Sequence, residues 1–325
     1  MDGLQTLLAG MTADRQHLHD LARKMQDRYI ITLRDKTLAS EVRRWAEMTV
    51  ASLLGSHPEG RILAVIGASG VGKTWAIERA LGSVPGLKEA TLCITAPRPC
   101  TLKQLGRAAL KGMDYDLQRD PPEHMVWEKV RDHLEANSLR FVWVDELQHT
   151  LDGKGDAQMA TISDTFKNLV QRRSWPVSFL LSGLPSVSSF LGRDRQIERR
   201  SRTVEFGPLV YPGSAELIRS VLLTTIVETD AGMRLDNLAT DEFIHRLCHA
   251  TGGALGVVVD LIRSAVLHAA ERPKFDGAIL IIDFAAAYAA ERNCERSQNV
   301  FLSPRWHDIR PENSRLREVA FGEGN

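Results

Sequence analysis

The sequence predicts an α/β protein with a parallel sheet, followed by a small all-helical lid. Three observations carry that expectation. Residues 67–74, Gly-Ala-Ser-Gly-Val-Gly-Lys-Thr, fill every fixed position of the pattern G-x-x-x-x-G-K-[ST] between a strand-like and a helix-like stretch. An apolar run, Phe141 to Val144, ends in Asp145-Glu146 about 70 residues later. From Ser214 onward, alternating strand and helix patterns give way to helical patterns alone.

The chain has 325 residues, room for one α/β domain with appendages or two small domains. Hydrophobic residues make up 43% and charged residues 25%, with a formal net charge of +0. Whole-molecule charge therefore gives no argument for nucleic acid or a membrane, and any DNA contact must come from a local basic patch. Cys93, Cys100, Cys248 and Cys294 show no C-x-x-C spacing, so neither a zinc site nor a disulfide framework is expected. The N-terminus lacks a signal pattern and no apolar run approaches 18 residues. A soluble protein of the reducing cytoplasm, with no membrane partner, is the expectation.

Residues 1–28 read as a polar, helical N-terminal extension, either a partner-binding arm or a solvated helical face. Tyr29 to Leu33 is a short apolar stretch of the kind that covers an adenine ring in P-loop ATPases. Leu38, Val42, Trp45, Met48 and Leu53 recur at helical spacing, with Trp45 read as core. Pro58 and Gly60 break that helix ahead of the buried strand Ile62 to Ile66. Gly67, Ala68, Ser69, Gly70, Val71 and Gly72 then curl so that their N–H groups face phosphate oxygens. Lys73 adds a point charge, and the Thr74 hydroxyl can ligate Mg²⁺. Trp75 follows in a helix that runs to about Leu81 and aims its positive dipole end at the same phosphates.

Ala90 to Thr95 reads as a second strand, stopped by Pro97 and Pro99. The helix after it, about Thr101 to Lys111, carries Lys103, Arg107 and Lys111 four apart on one face. That row is either a solvated charged face or a phosphate-tracking surface for DNA. The strand Phe141 to Val144 ends in Asp145, placed to support Mg²⁺, and Glu146, placed to polarise an attacking water. A helix from Ala157 to Arg173 precedes the strand Val177 to Leu181, after which Ser182 either senses the γ-phosphate or caps the strand. Arg193, Arg195, Arg199, Arg200 and Arg202 follow within ten residues. Asp194, Glu198 and Glu205 are the nearby acids, too few to pair them all, so an outside anion is expected.

The lid pattern comprises Ala215 to Val227, Asp241 to His249, Leu255 to Ala270 and about Ile279 to Arg292. The tail from Asn293 is polar and Pro-interrupted, and reads as extended or mobile. Its Phe301 and Trp306 either anchor a partner or fold back on the lid. The expected division is 1–28 extension, 29–213 core, 214–292 lid and 293–325 tail.

Taken together, this order of motifs resembles the AAA+ ATPases, and within them the transposon-encoded TniB/TnsC regulators, with the phage MuB protein as a more distant relative. The resemblance rests on GASGVGKT at 67–74, LCITAPRPCTLKQL at 92–105 and VWVDELQHT at 142–150. SFLLSGLP at 178–185, ERRSRTVEFGPL at 198–209 and HATGGALGVVVDLIRSAV at 249–266 complete it. It implies an ATP- and Mg²⁺-dependent regulator of transposition that oligomerises on double-stranded DNA as a ring or filament. Such a protein links a target selector, such as a TniQ-type factor, to the transposase. The resemblance further implies that Glu146 is the catalytic base, that Arg199 is the finger acting in a neighbouring subunit with Arg200 and Arg202 beside it, and that Lys103 contacts the DNA backbone. One departure stands out. The family's lid arginine is replaced by Gly256-Val257, and Arg263 lies about two turns on, so no lid sensor is assigned. The competing expectations are a P-loop ATPase of secretion or partition, and a nucleotide-gated scaffold without DNA loading.

Overall fold

The computed structural model describes residues 3–227, 229, 232–235 and 238–311. It divides into an α/β unit, Leu33–Gly207, and a helical unit made of Met1–Thr32 and Pro208–Asn325. The chain opens in the helical unit with α1 (Gly3–Ala9) and α2 (Ala13–Gln26). The α/β unit follows: α3 (Leu33–Leu53), β1 (Ile62–Gly67), α4 (Lys73–Gly82), β2 (Thr91–Thr95), α5 (Leu102–Gly112), α6 (Glu123–Ala136) and β3 (Phe141–Asp145). It continues through α7 (Gln148–Leu151), α8 (Asp156–Val170), β4 (Ser178–Gly183), α9 (Ser186–Leu191), α10 (Arg195–Glu198) and β5 (Ser201–Phe206).

All pairings in this sheet are parallel, in the order β2-β3-β4-β1-β5. The α/β class and parallel sheet are therefore as the sequence predicts. β1, β3 and β4 are buried at every position, because helices cover both faces of a parallel sheet. On one face Ile62, Ala64 and Ile66 pack with Leu105, Val126, Val130 and Phe166. On the other, α3 is fixed by the Trp45 indole, which donates to Arg61 O at 3.2 Å and meets the Phe141 ring edge-on. Buried Thr49 adds a 2.9 Å hydrogen bond to Ser178 of β4. Because every strand runs the same way, Gly67, Asp145 and Gly183 all lie at one edge of the sheet, where α/β proteins place ligands.

Among the elements that escape the sequence reading, α6 and β5 are the longest of their kind. α6 fills the interval after Lys111 and packs on α5 through Val126, Val130 and Leu134, spaced one turn apart. β5 is an edge strand carrying Arg202, Thr203 and Glu205, and so lacks the apolar run that marks a central strand.

The helical unit contains α11 (Ala215–Val227), α12 (Asp241–Ala250), α13 (Leu255–Ala270) and α14 (Ile281–Arg292). It is not wholly helical: β6 (Arg234–Leu235) and β7 (Ala278–Ile279) form a short parallel pair. The expected partition also changes. Leu21 and Met25 of α2 are buried with Ile218, Leu222, Ile262 and Phe284, so the N-terminal segment is part of this core and not a separate extension. Arg263 of α13 secures it by donating to Arg28 O at 2.9 Å.

Residues of the expected mobile tail are also core. Val300, Phe301 and Trp306 are buried, and Asn299 donates to Ala285 O at 2.8 Å. Arg246 of α12 donates to Val300 O at 2.8 Å and Ser303 O at 3.1 Å, and His249 meets Ile309 O at 2.8 Å. Phe301 and Trp306 thus fold back, which removes them as anchors for a partner. The remainder of that tail, residues 312–325, lies outside the described residues.

Candidate nucleotide-binding and hydrolysis site

The loop between β1 and α4 takes the conformation its glycines permit. Gly70 and Gly72 have φ of +76° and +90°, a region costly for side-chain-bearing residues. Gly67 lies so close to β5 that a Cβ there would sit 2.4 Å from Phe206 O. Val71 is buried and anchors the loop, while Ala68, Ser69 and Gly70 are exposed at its tip.

Lys73 is buried, and its Nζ donates to Gly67 O at 2.9 Å and Ala68 O at 2.8 Å. Burial pushes its ammonium below the usual lysine value, and the charges of Glu146 and Asp145 partly restore it. Thr74 Oγ1 donates to Asp145 Oδ2 at 2.7 Å, joining the two strongest sequence motifs directly. Trp75 is 66% exposed beside Thr74 on the open face of α4. Ile31 and Leu33, from the stretch expected to cover adenine, are exposed as well.

Asp145 is buried, and its second oxygen accepts from Ser182 Oγ at 2.6 Å and from Glu146 N at 2.9 Å. Ser182 is wholly buried, with its Oγ also accepting the Trp143 indole N–H at 2.8 Å. The single proton of that hydroxyl is spent on Asp145 inside the sheet. In this geometry Ser182 holds Asp145, which favours the structural of its two expected roles. Glu146 follows with φ of +55°, and its carboxylate accepts from Gln148 Nε2.

The hydroxyl of Thr74 and carboxylate of Asp145 are hard oxygen donors 2.7 Å apart. Mg²⁺ characteristically takes one or two protein oxygens and completes its shell with water and phosphate, so this pair fits it. Among the described residues no cluster of three or more His, Cys, Asp or Glu side chains would hold a metal without such help.

The arginine-rich stretch finds acids that sequence neighbours did not reveal. Arg193 pairs with Asp156 at 2.9 Å, Arg200 with Glu59 at 2.8 Å and Arg202 with Glu41 at 3.2 Å. Local acids are indeed too few, but for these three arginines distant segments of the same chain take the place of the expected outside anion. Asp194 itself caps α10 and pairs with Lys167 at 2.8 Å. Arg199 is exposed at the end of α10 and, among the described residues, forms no ion pair.

Lys103, Arg107 and Lys111 do share the outer face of α5, whose opposite face buries Leu102, Leu105, Ala109 and Leu110. The row is not free of acids, however. Asp120 returns across the helix and contacts Lys103 Nζ at 2.7 Å and Arg107 Nη1 at 2.8 Å. Both cations hold the exposed Asp120 carboxyl below the usual range. Arg98, in the loop entering α5, and Lys111 are exposed.

Comparison with known proteins agrees with this geometry. Residues 57–191 match the family model of the AAA domain. No curated protein matches the sequence. Among solved structures, the Aeropyrum pernix ORC1 protein, in complex with DNA, superposes with a TM-score of 0.57 at 18% identity, covering 83% of this chain and 67% of that one. The Aeropyrum pernix ORC2 protein, in ADPNP–ADP complexes, gives 0.55 at 14% identity over 85% of this chain and 75% of that one. Cdc6p from Pyrobaculum aerophilum gives 0.54 at 12%, covering 80% and 67% respectively. At such identities the likeness is one of fold. The fold is AAA+-like: a five-stranded parallel sheet followed in the chain by helices. Residues 57–191, the stretch that carries the phosphate-loop motif and Asp145-Glu146, are similar to the AAA domain.

Proposed function

We propose that this chain is an ATP-hydrolysing AAA+ regulator of transposition that assembles with copies of itself on double-stranded DNA and links a target selector to the transposase. The reading rests on the motif resemblance to TniB/TnsC proteins and on the chemistry of the site. The observation that carries it is the contrast among the arginines: Arg193, Arg200 and Arg202 are held by Asp156, Glu59 and Glu41, whereas Arg195 and Arg199 are exposed with no ion pair among the described residues, and the motif resemblance selects Arg199 of the two. An exposed, unpaired guanidinium suits a finger that enters the site of the next subunit.

In this mechanism Lys73 exchanges the carbonyls of Gly67 and Ala68 for β- and γ-phosphate oxygens. Thr74 and Asp145 would hold Mg²⁺, whose charge offsets that of the phosphates. Glu146 orients the water that attacks the γ-phosphorus and accepts its proton, and Arg199 of the next subunit meets the charge that spreads over the transferred group. Trp75 lies beside the phosphate-facing end of α4 and would border the bound nucleotide.

DNA contact is assigned to the outer face of α5, where Lys103, Arg107 and Lys111 would follow the phosphate backbone without reading bases. Asp120 would have to yield to phosphate there. That pairing is the one feature favouring the second reading, an ATPase that does not load on DNA. Sedimentation with plasmid DNA, comparing ATP, a non-hydrolysable analogue and no nucleotide, separates the two. Large assemblies requiring both DNA and nucleotide support the first reading, and their absence in every state leaves the second.

A further inference from the structure

Gln148 lies inside the stretch VWVDELQHT without a role assigned to it there, yet its side chain joins the ends of two strands. β3 and β4 pair as far as Val144 and Leu181, and the link continues as Leu147 N donates to Ser182 O at 3.0 Å. At the next step a side chain replaces the backbone. Gln148 Oε1 accepts from Leu184 N at 3.2 Å, while Nε2 donates to Glu146 Oε2. Gln148 is 3% exposed, and these partners fix which way its amide faces: oxygen toward an N–H, nitrogen toward a carboxylate.

Its seat is built by a neighbouring glycine. A Cβ on Gly183 would lie 2.3 Å from Gln148 Oε1 and 2.9 Å from Val187 Cγ2. Any side chain at 183 would push the amide away from Leu184. His149 approaches the same oxygen, its Nε2 3.8 Å from Glu146 Oε2 while its Nδ1 lies 3.2 Å from Ala96 O.

We infer that Gln148 is the positioning residue for Glu146 in hydrolysis, and that position 183 is glycine so that this amide can be seated. The inference rests on the proposed reading of Glu146 as the base. A glutamate turns about three side-chain bonds, and this one is more than a third exposed at 37%. A base works only when held within hydrogen-bond reach of the proton it takes. Gln148 occupies one carboxylate oxygen and leaves Oε1 for water. Through Leu184 it also makes the exit of β4 part of the base's support.

The test is steady-state ATP hydrolysis by the DNA-assembled full chain, comparing the unmodified protein with E146Q, Q148A, Q148E and G183A. Q148E is the informative variant: it keeps the volume and the acceptor for Leu184 N, but sets a carboxylate where Glu146 needs a donor. The expected result is a roughly ten- to hundredfold fall in kcat for Q148A, Q148E and G183A, the range of a displaced general base. KM for ATP should remain within about twofold in Q148A and Q148E, since positioning of the base enters the chemical step and not binding. Q148E with unchanged or raised kcat overturns the inference, because it shows that Gln148 serves only the backbone. When the unmodified protein turns over and E146Q does not, that outcome removes the inference alone. Equal inactivity of the unmodified protein and E146Q removes the hydrolysis reading, and the inference falls with it.

Discussion

At the scale of single residues, the site is a chain of short polar contacts that begins at the phosphate loop and ends inside the sheet. Lys73 binds its own loop carbonyls, Thr74 binds Asp145, and Asp145 is held in turn by Ser182 and the Trp143 indole. Lys73→Ala should weaken nucleotide binding roughly ten- to hundredfold, the range for lost charged hydrogen bonds, as read by titration with a fluorescent ATP analogue. Ser182→Ala removes a partner of Asp145 and strands the buried Trp143 N–H. It should cost about 1–3 kcal/mol of stability in denaturant unfolding. Unchanged stability would show that Ser182 is not structurally committed. The phosphate-binding residues and Asp145 were legible in the sequence because their chemistry demands a fixed spacing. For Ser182 the sequence left two roles open, since its position after a strand does not say that its hydroxyl turns inward. Gln148 lay within the quoted stretch 142–150, but its role was not legible because its work depends on two strands meeting in space.

At the scale of elements, α5 and α12 show how long-range partners alter a reading based on neighbours. Asp120 lies outside the helical pattern of α5, yet it neutralises part of the Lys103 and Arg107 charge. Asp120→Asn should therefore strengthen DNA binding several-fold at low salt, while Lys103→Ala should weaken it evenly across sequences and flatten its salt dependence. Fluorescence anisotropy on unrelated duplexes reads both, and a sequence-selective defect would contradict backbone contact. The arginine stretch has the same lesson: Glu41, Glu59 and Asp156 cannot be recognised as its partners before the chain is folded.

On α12, His245 stacks on Tyr211 at 4.1 Å and meets Trp306 edge-on at 4.8 Å, with His307 and His249 nearby. Burial, then the two histidines, push the His245 imidazole below its usual value of 6.5. The folded state thus favours neutral His245, and its contribution to stability is present above the unfolded value and lost as pH falls through the lowered one. Thermal unfolding should show the helical unit losing stability from neutral pH toward pH about 5, less so in His245→Gln. Trp306→Ala should cost about 3–5 kcal/mol, a loss expected of a buried aromatic and not of a residue in a loose tail.

At the scale of the whole molecule, the order of elements was readable and the division into units was not. Central strands announce themselves as apolar runs, and the lid helices by their period. Nothing local indicates that Leu21 and Met25 join a core with residues more than 190 positions away, or that Trp306 closes it. The edge strand β5 was similarly silent, being half polar. The α/β unit carries the phosphate-loop motif, Glu146 and the exposed Arg199. The account requires that this arginine act in the next subunit. Mixing tests that requirement most directly. Lys73→Ala protein keeps the finger but loses phosphate binding, and Arg199→Ala protein keeps phosphate binding but loses the finger. Each alone, on DNA, should hydrolyse ATP about a thousandfold more slowly than the unmodified chain. Mixed on DNA, they should recover turnover, because Arg199 of one completes the site of the other. Normal hydrolysis by Arg199→Ala alone, or no recovery on mixing, would contradict the account.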